Sequence, residues 1–502
     1  MELLKELVEL NPNKHVFHPQ SDENYPNSKL EILFEGVKSK EFESDDDAAI
    51  YIYQKKGSYP GYQRLKSRLI DKLIDQLILS GNKNNNYSSY QHAYNNCHRN
   101  WAVVKLMYSK GARNTAIAIA ERTSSYAKKF ELTDIVLLVS RELRNHYSLI
   151  SYNKYKMEKY SREFDEALVL YEYENEAEKY YAEIHYISLT SRGSVNDATL
   201  QKSDQYASRL REILQKHESY RLLFMAYMTL SLKYQYAHDF ENMLRVSTEA
   251  VEIFKNRSVT TQVALFNFQL RKMICHMQLG DYRKSDQIAM AYLKEMRKGT
   301  YNWYYILFYY FTSQMHRRNY SDAWNTLQSG LNFKNFKTLA PNLKQIFKVN
   351  EGYLQFLIAS GKIDQSNLEN PKSKTFKMFK FLNEIPLFSK DKRGVNVSIL
   401  IIHVLFLLQR KKYNEIIDRV DALRQYTHRY LRKDDSYRSN CFIQMLLQIP
   451  RADFNRIRTE RYAEKHREKL SLVPMNMASQ GVEIEIIPYE DLWEIVLELL
   501  DT

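Results

Sequence analysis

The chain has 502 residues, of which 44% are hydrophobic, 26% charged and 13% aromatic, with only 13 glycines and 10 prolines. So little Gly and Pro excludes collagen-like and linker-rich chains, and it counts against a large all-β fold, whose many tight turns need both. The formal net charge of +13 is unevenly placed: residues 371–470 hold 23 basic and 11 acidic residues, whereas residues 471–502 hold seven acidic and no basic ones.

At the N-terminus, Met1–Leu10 is apolar at helical spacing but carries three glutamates. A secretory leader needs a basic start and an uncharged core, so none is expected here. Ser44-Asp45-Asp46-Asp47 reads as a helix start, with carboxylates at the positive end of the dipole. A short helix over Ala48–Lys55 follows, then a turn at Tyr59-Pro60-Gly61. Tyr62–Leu79 is strongly amphipathic, with Leu65, Leu69, Ile70, Leu73, Ile74 and Leu77 on one face. Residues 1–85 therefore form a helical N-terminal region. Its two helices over 45–55 and 62–79 have the outline of a helix-turn-helix module, with Lys55, Lys56, Arg64, Lys66, Arg68 and Lys72 available to phosphates. Residues 29–80 nevertheless balance nine basic against nine acidic side chains.

Proline is absent between Pro60 and Pro341, and glycine is absent from Gly111 to Gly193 and from there to Gly280. Proline breaks helix interiors and glycine weakens them, so this span reads as helix after helix. Short breaks recur at Ser80–Asn86, Lys110–Arg113, Ala237–Asp239, Leu279–Asp281, His316–Asn319, Ser360–Lys362 and Gln409–Lys412. The first lies inside a polar Asn-rich run, and each of the others separates two amphipathic stretches of the length of short antiparallel helices. Phe240, Tyr282, Tyr320 and Tyr413 each follow such a break and open the second helix of a pair, at separations of 42, 38 and 93 residues. The last gap holds two repeats, with Gly361 at the intervening turn and Asn370–Gly394 as an insertion.

These residues resemble a degenerate tetratricopeptide repeat. Tyr227, Leu230, Ser231, Tyr234, Asp239-Phe240 and Ala250 carry the best match. Gly280-Asp281-Tyr282 with Ser285 and Ala289, Asn319-Tyr320 with Ala323, Leu327 and Gly330, Lys412-Tyr413, and Gly111 with Ala116 and Ala120 are weaker echoes. Met243 and Ser247 depart from the pattern, and the spacing exceeds the usual 34 residues. The resemblance implies an all-α, TPR-like right-handed α-solenoid of helical hairpins over 86–435, whose paired helices bury a continuous core. Residues 436–502 would be C-terminal helices and an acidic cap. There Gly481–Ile487 alternates like a strand, and Glu490-Asp491-Leu492-Trp493 starts a final capping helix.

Local chemistry is sparse. No phosphate loop, GxGxxG, HExxH, GxSxG or EF-hand pattern occurs. Cys97, Cys275 and Cys441 lie far apart, which gives no disulfide or thiolate-zinc spacing and fits reduced thiols in a cytoplasmic protein. Cys97-His98 is an adjacent pair, but neighbours on a helix point about 100° apart. Arg141…His146 and Arg271…His276 both fit the R-x4-H spacing that resembles HEPN-type ribonucleases, with Glu142 and Lys272 where that family prefers Asn, Asp or His. Val395–Leu408 is the longest apolar run, too short for a membrane span and interrupted by His403.

The expected function is therefore a non-enzymatic scaffold or adaptor that captures a peptide or protein, with no cofactor and no metal. Candidate contacts are Tyr227, Tyr234, Arg271, Tyr304 and Arg318, and the Tyr301–Phe311 run is the densest aromatic cluster. A second expectation is a TPR-type regulator that binds nucleic acid through the N-terminal module or through 371–470. Lys411, Lys412, Arg419, Arg424, Arg429 and Arg432 are the candidate polyanion contacts there, unless the acidic tail neutralises them. A helical ribonuclease is a third.

Overall fold

The computed structural model describes residues 1–11, 28–80, 89–190, 197–259, 262–364, 366, 368, 395–430, 437–475 and 484–501, with side chains at 79–80, 188–190, 395, 421–422 and 428–430 left out. Among these residues the structure is all helix, without a β-strand, and successive helices pack on one another. The expected insertion at Asn370–Gly394 lies outside the described residues. The chain forms two compact units, Met1–Tyr171 and Glu172–Thr502, whose boundary falls within one long helix.

The first unit has two cores. Helices α1 (Glu2–Leu10), α2 (Lys29–Lys38), α3 (Asp45–Tyr53) and α4 (Pro60–Ser80) enclose Leu4, Leu33, Phe34, Ala48, Tyr62 and Leu69. Ser44 caps α3 with a reciprocal box, its hydroxyl accepting from the Asp47 amide while Asp47 accepts from the Ser44 amide. Asp45 binds the first helices together, accepting from Tyr62 Oη at 2.7 Å and Lys66 Nζ at 2.8 Å. Burial alone would raise its carboxyl, but these donors bring its pKa down to about 2.

The second core of this unit lies among α5 (Ser89–Ser109), α6 (Arg113–Lys129), α7 (Thr133–Leu149) and the start of α8 (Lys154–Thr190). Along α6, Ala116, Ala120, Ser124 and Ala127 form a buried seam of small side chains that lets α5 and α7 both approach closely. Glu121 accepts from Lys156 Nζ at 2.8 Å and from Tyr147 Oη at 2.9 Å, which ties α6, α7 and α8 together.

In the second unit, α9 (Asp197–Leu214) leads into α10 (Tyr220–Tyr236), α11 (Phe240–Asn256), α12 (Gln262–Gln278), α13 (Tyr282–Glu295), α14 (Tyr301–His316) and α15 (Tyr320–Leu331). A 3-10 turn at Lys334–Thr338 precedes α16 (Pro341–Ala359), and α17 (Val395–Gln409) and α18 (Tyr413–Tyr430) follow. The chain ends in α19 (Tyr437–Leu446), α20 (Gln448–Arg451), α21 (Arg456–Ser471) and α22 (Tyr489–Asp501). Phe240, Tyr282, Tyr320 and Tyr413 are the first residues of α11, α13, α15 and α18, as their position after the breaks predicts.

The interhelix turns repeat one geometry. Gly111, Glu131, His238, Gly280, Arg318, Gly361 and Lys411 each have positive φ, between 53° and 78°. The next amide in each turn reaches back to a carbonyl five residues earlier: Ala112 to Met107, Leu132 to Ala127, Asp239 to Tyr234, Asp281 to His276, Asn319 to Gln314, Lys362 to Leu357 and Lys412 to Leu407. This left-handed cap satisfies the orphan carbonyls at a helix end and turns the chain into its neighbour. Only three of the seven positions are Gly, so the Glu131 turn escapes a search for glycine breaks.

The apolar run Val395–Leu408 becomes α17, buried on every side: Val397, Ile401, Ile402, Val404 and Leu405 are fully enclosed. No helix among the described residues is long and apolar enough to cross a membrane. Of the strand-like alternation Gly481–Ile487, residues 481–483 lie outside the described region. Ile484–Ile487 is a turn rather than a strand, because its polar groups engage side chains and not a neighbouring strand. Ile486 and Ile487 enter the core while Glu485 is pulled to Arg438.

Candidate binding site

The aromatic run on α14 has two fates. Trp303, Tyr304, Leu307, Phe308 and Phe311 are buried against α15, α16 and the 3-10 turn. Tyr304 Oη donates to the Gly330 carbonyl at 3.2 Å, and its ring meets Phe347 edge-on at 5.4 Å between centroids. One helical turn apart, Tyr305 and Tyr309 are only half-buried and pack at the edge of the same core. They line a cleft of about 180 Å³ with Phe308, Ile346, Asn350, Ser398 and Ile486.

Among the described residues no charged side chain lines this cleft. Asn350 is 1% exposed, and its Nδ2 has no hydrogen-bond partner. Ser398 is also buried but is satisfied: its hydroxyl donates to the Ile484 carbonyl at 2.8 Å, and its own carbonyl accepts from Tyr353 Oη at 2.9 Å. A buried amide donor left without a partner costs about 1–3 kcal/mol. The cleft is therefore an apolar recess, and the unspent Asn350 donor is enclosed beside it rather than open to it.

The candidate contact residues do not converge. Tyr227 is buried, its Oη donating to Glu249 at 2.6 Å and its ring edge-on to Phe268. Tyr234 is buried and accepts from Arg211 at 3.1 Å. Tyr304 belongs to the core. Arg271 is half-buried, gives Nη1 to the Asn267 carbonyl at 3.3 Å and keeps an unpartnered Nε. Arg318 is a turn residue with φ 57°, held by Asp491 and Glu494 of α22.

Lys411 is the turn residue ahead of α18, and Lys412 pairs with Glu415. Arg419 donates to His403 Nδ1 at 2.7 Å. Burial first, and then the Arg419 charge, lower the His403 pKa to about 4, so the ring stays neutral and can accept. Arg424 is exposed on α18. The Arg429 side chain and all of Arg432 lie outside the described residues.

The acidic tail is answered within the molecule. Each of its six described carboxylates has a cation: Glu485 and Glu490 share Arg438, Asp491 and Glu494 share Arg318, Glu498 takes Lys362, and Asp501 takes Arg456. Only Arg438 and Arg456 come from the basic segment 371–470. Arg438 and Glu485 are each 1% exposed, and their paired bonds at 2.6 and 3.1 Å form the buried centre of this clasp. His316 adds a ring-to-backbone contact, Nε2 to the Glu485 carbonyl at 2.6 Å.

The groups weighed for catalysis are dispersed. Cys97 and Cys275 are buried, and burial pushes their thiols up to about 11 and about 12, so both stay protonated. His98 lies 3.5 Å from Asp134, and His276 lies 3.9 Å from Asp281. Arg141 is exposed, whereas His146 is half-buried and burial lowers its pKa. Among the described residues no group of three or more His, Cys, Asp or Glu side chains is placed to hold a metal ion.

Fold and turns together define an all-α helical-repeat protein. No protein-family model and no curated protein matches the chain.

Proposed function

We propose that this protein is a non-enzymatic binding scaffold: a right-handed, TPR-like solenoid of helical hairpins that captures a peptide or protein segment. The observation that carries the reading is the cleft beside α14, whose described lining is uncharged and includes two half-buried tyrosines. The recurring left-handed turn supports the solenoid, since one local geometry repeated along a chain stacks equivalent pairs. In such an array the first helices of successive pairs share a surface, and aromatic anchors with a few polar groups are the usual means of gripping an extended segment. Three buried, protonated thiols fit a reducing, cytoplasmic setting.

The test is selection of displayed random peptides on the full chain, with salt titration of the binders and of mixed-sequence DNA and RNA. Peptide binding should persist from about 50 to about 500 mM salt, because the described lining of the cleft holds no charge. Failure to select any peptide, with nucleic-acid binding that falls steeply over that range, would replace this reading with a nucleic-acid regulator.

A further inference from the structure

The turn between α7 and α8, in the first unit, combines features that packing does not explain. It exposes every residue from 148 to 155. Four of these are large and apolar: Leu149 is 69% exposed, Ile150 46%, Tyr152 81% and Tyr155 75%. The turn is firmly built. The Ser151 amide donates to the His146 carbonyl at 3.0 Å, the Asn153 amide to the Tyr147 carbonyl at 2.9 Å, and the Lys156 amide to Asn153 Oδ1 at 3.0 Å. Tyr152 is held at φ 49°, a backbone that glycine adopts more easily than any residue with a side chain. An exposed tyrosine kept at such a position gains nothing from the fold itself.

Charge at this end of the unit is one-sided. Short turns join α5, α6 and α7, which pack on one another, so α5 and α7 run in the same direction and the α5–α6 turn lies beside the α7–α8 turn. Lys105 of α5 meets Glu142 of α7 at 3.0 Å across that pair. Around the two turns, residues 105–117 and 143–157 hold six Lys or Arg and no Asp or Glu. Lys105 and Lys156 reach Glu142 and Glu121, and Lys154 comes within 3.8 Å of Glu158. Lys110 and Arg113 are exposed and form no ion pair among the described residues.

We propose that this end of the first unit is a peripheral docking surface for an anionic lipid bilayer. Leu149 and Ile150 enter the acyl boundary, Tyr152 and Tyr155 lie at headgroup level, and Lys110, Arg113 and Lys154 meet lipid phosphates. A helical-hairpin tip is convex, and a fluid leaflet closes round it, whereas an acidic protein surface would have to supply a matching hollow. A polynucleotide would use the basic groups but leave Leu149 and Ile150 in water, so the apolar pair favours lipid.

Co-sedimentation of the full chain with vesicles of phosphatidylcholine, alone or with about 30 mol% phosphatidylserine, tests this. The chain should bind the anionic vesicles in preference to the neutral ones and be released by salt. Leu149→Glu should weaken binding at least about tenfold and Lys110→Gln about fivefold, both with an unchanged melting temperature because both side chains are exposed. Tyr152→Gly should weaken binding without lowering the melting temperature, a combination that a tyrosine kept for folding would not give. No binding to anionic vesicles, equal binding to neutral ones, or binding that Leu149→Glu leaves unchanged would overturn the proposal. A mixed-sequence oligonucleotide that binds the original chain but not Lys110→Gln, with no vesicle binding, would reassign this end to nucleic acid.

Discussion

Two residues, Gly330 and His316, show how local surroundings set a residue's contribution. Gly330 sits on α15 where an added Cβ would fall 2.7 Å from Phe347 Cε1. The close approach of α15 and α16 depends on that missing methyl. Gly330→Ala is expected to cost about 1–3 kcal/mol, read as a lower midpoint in chemical denaturation with an unchanged slope. His316 is governed by burial, which lowers its pKa to about 4 although the Glu485 carbonyl works in the opposite direction. An unfolded histidine titrates near about 6.5. The folded value is the lower one, so the unfolded chain takes up the extra proton between the two. Stability is fully present above about pH 6.5 and declines as pH falls towards about 4. His316→Gln should flatten that decline by about one proton, measured as the pH dependence of the unfolding free energy; an unchanged slope would contradict the assignment.

At the scale of the element, the turns carry the repeat. Gly280 has φ +78° and open space where its Cβ would be, so its role is conformational and not steric. Gly280→Ala should therefore cost about 1–2 kcal/mol through the left-handed backbone alone, without a packing defect. Comparing the melting temperatures of Gly280→Ala and Gly330→Ala, together with a crystal structure of each, separates the two mechanisms, since only the second should displace Phe347. Most of these elements were legible in the sequence. Tyr62–Leu79 anticipated α4, the polar breaks located six of the turns, and the aromatic residues after them opened the second helices. The Glu131 turn was not legible, because apolar Phe130 and Leu132 flank Glu131 and leave no polar break in the sequence there.

For the second unit as a whole, the C-terminal clasp matters most. Glu485→Ala leaves the buried Arg438 paired only with the partly exposed Glu490, and it should cost about 3 kcal/mol, since the charge loses its one fully buried partner. Lys362→Ala breaks a more exposed pair with Glu498 and should cost less than about 1 kcal/mol. Urea unfolding of both variants checks the contrast, and equal effects would mean that the clasp has no buried centre. The net charge of the tail was plain in the sequence, but its partners were not. Arg318, Lys362, Arg438 and Arg456 lie on four separate stretches of chain.

Composition and periodicity by themselves determined that this chain is helical and where six of its turns fall, because those properties depend on local backbone preference and on which residues avoid water. Tertiary structure alone decided which of two neighbouring aromatics on α14 is buried. Tyr304 and Tyr305 are adjacent and chemically identical, yet one donates to the Gly330 carbonyl inside the core and the other lines a cleft. Neighbours on a helix point about 100° apart, so the fate of each is set by the helix it meets, and that helix is supplied by distant sequence.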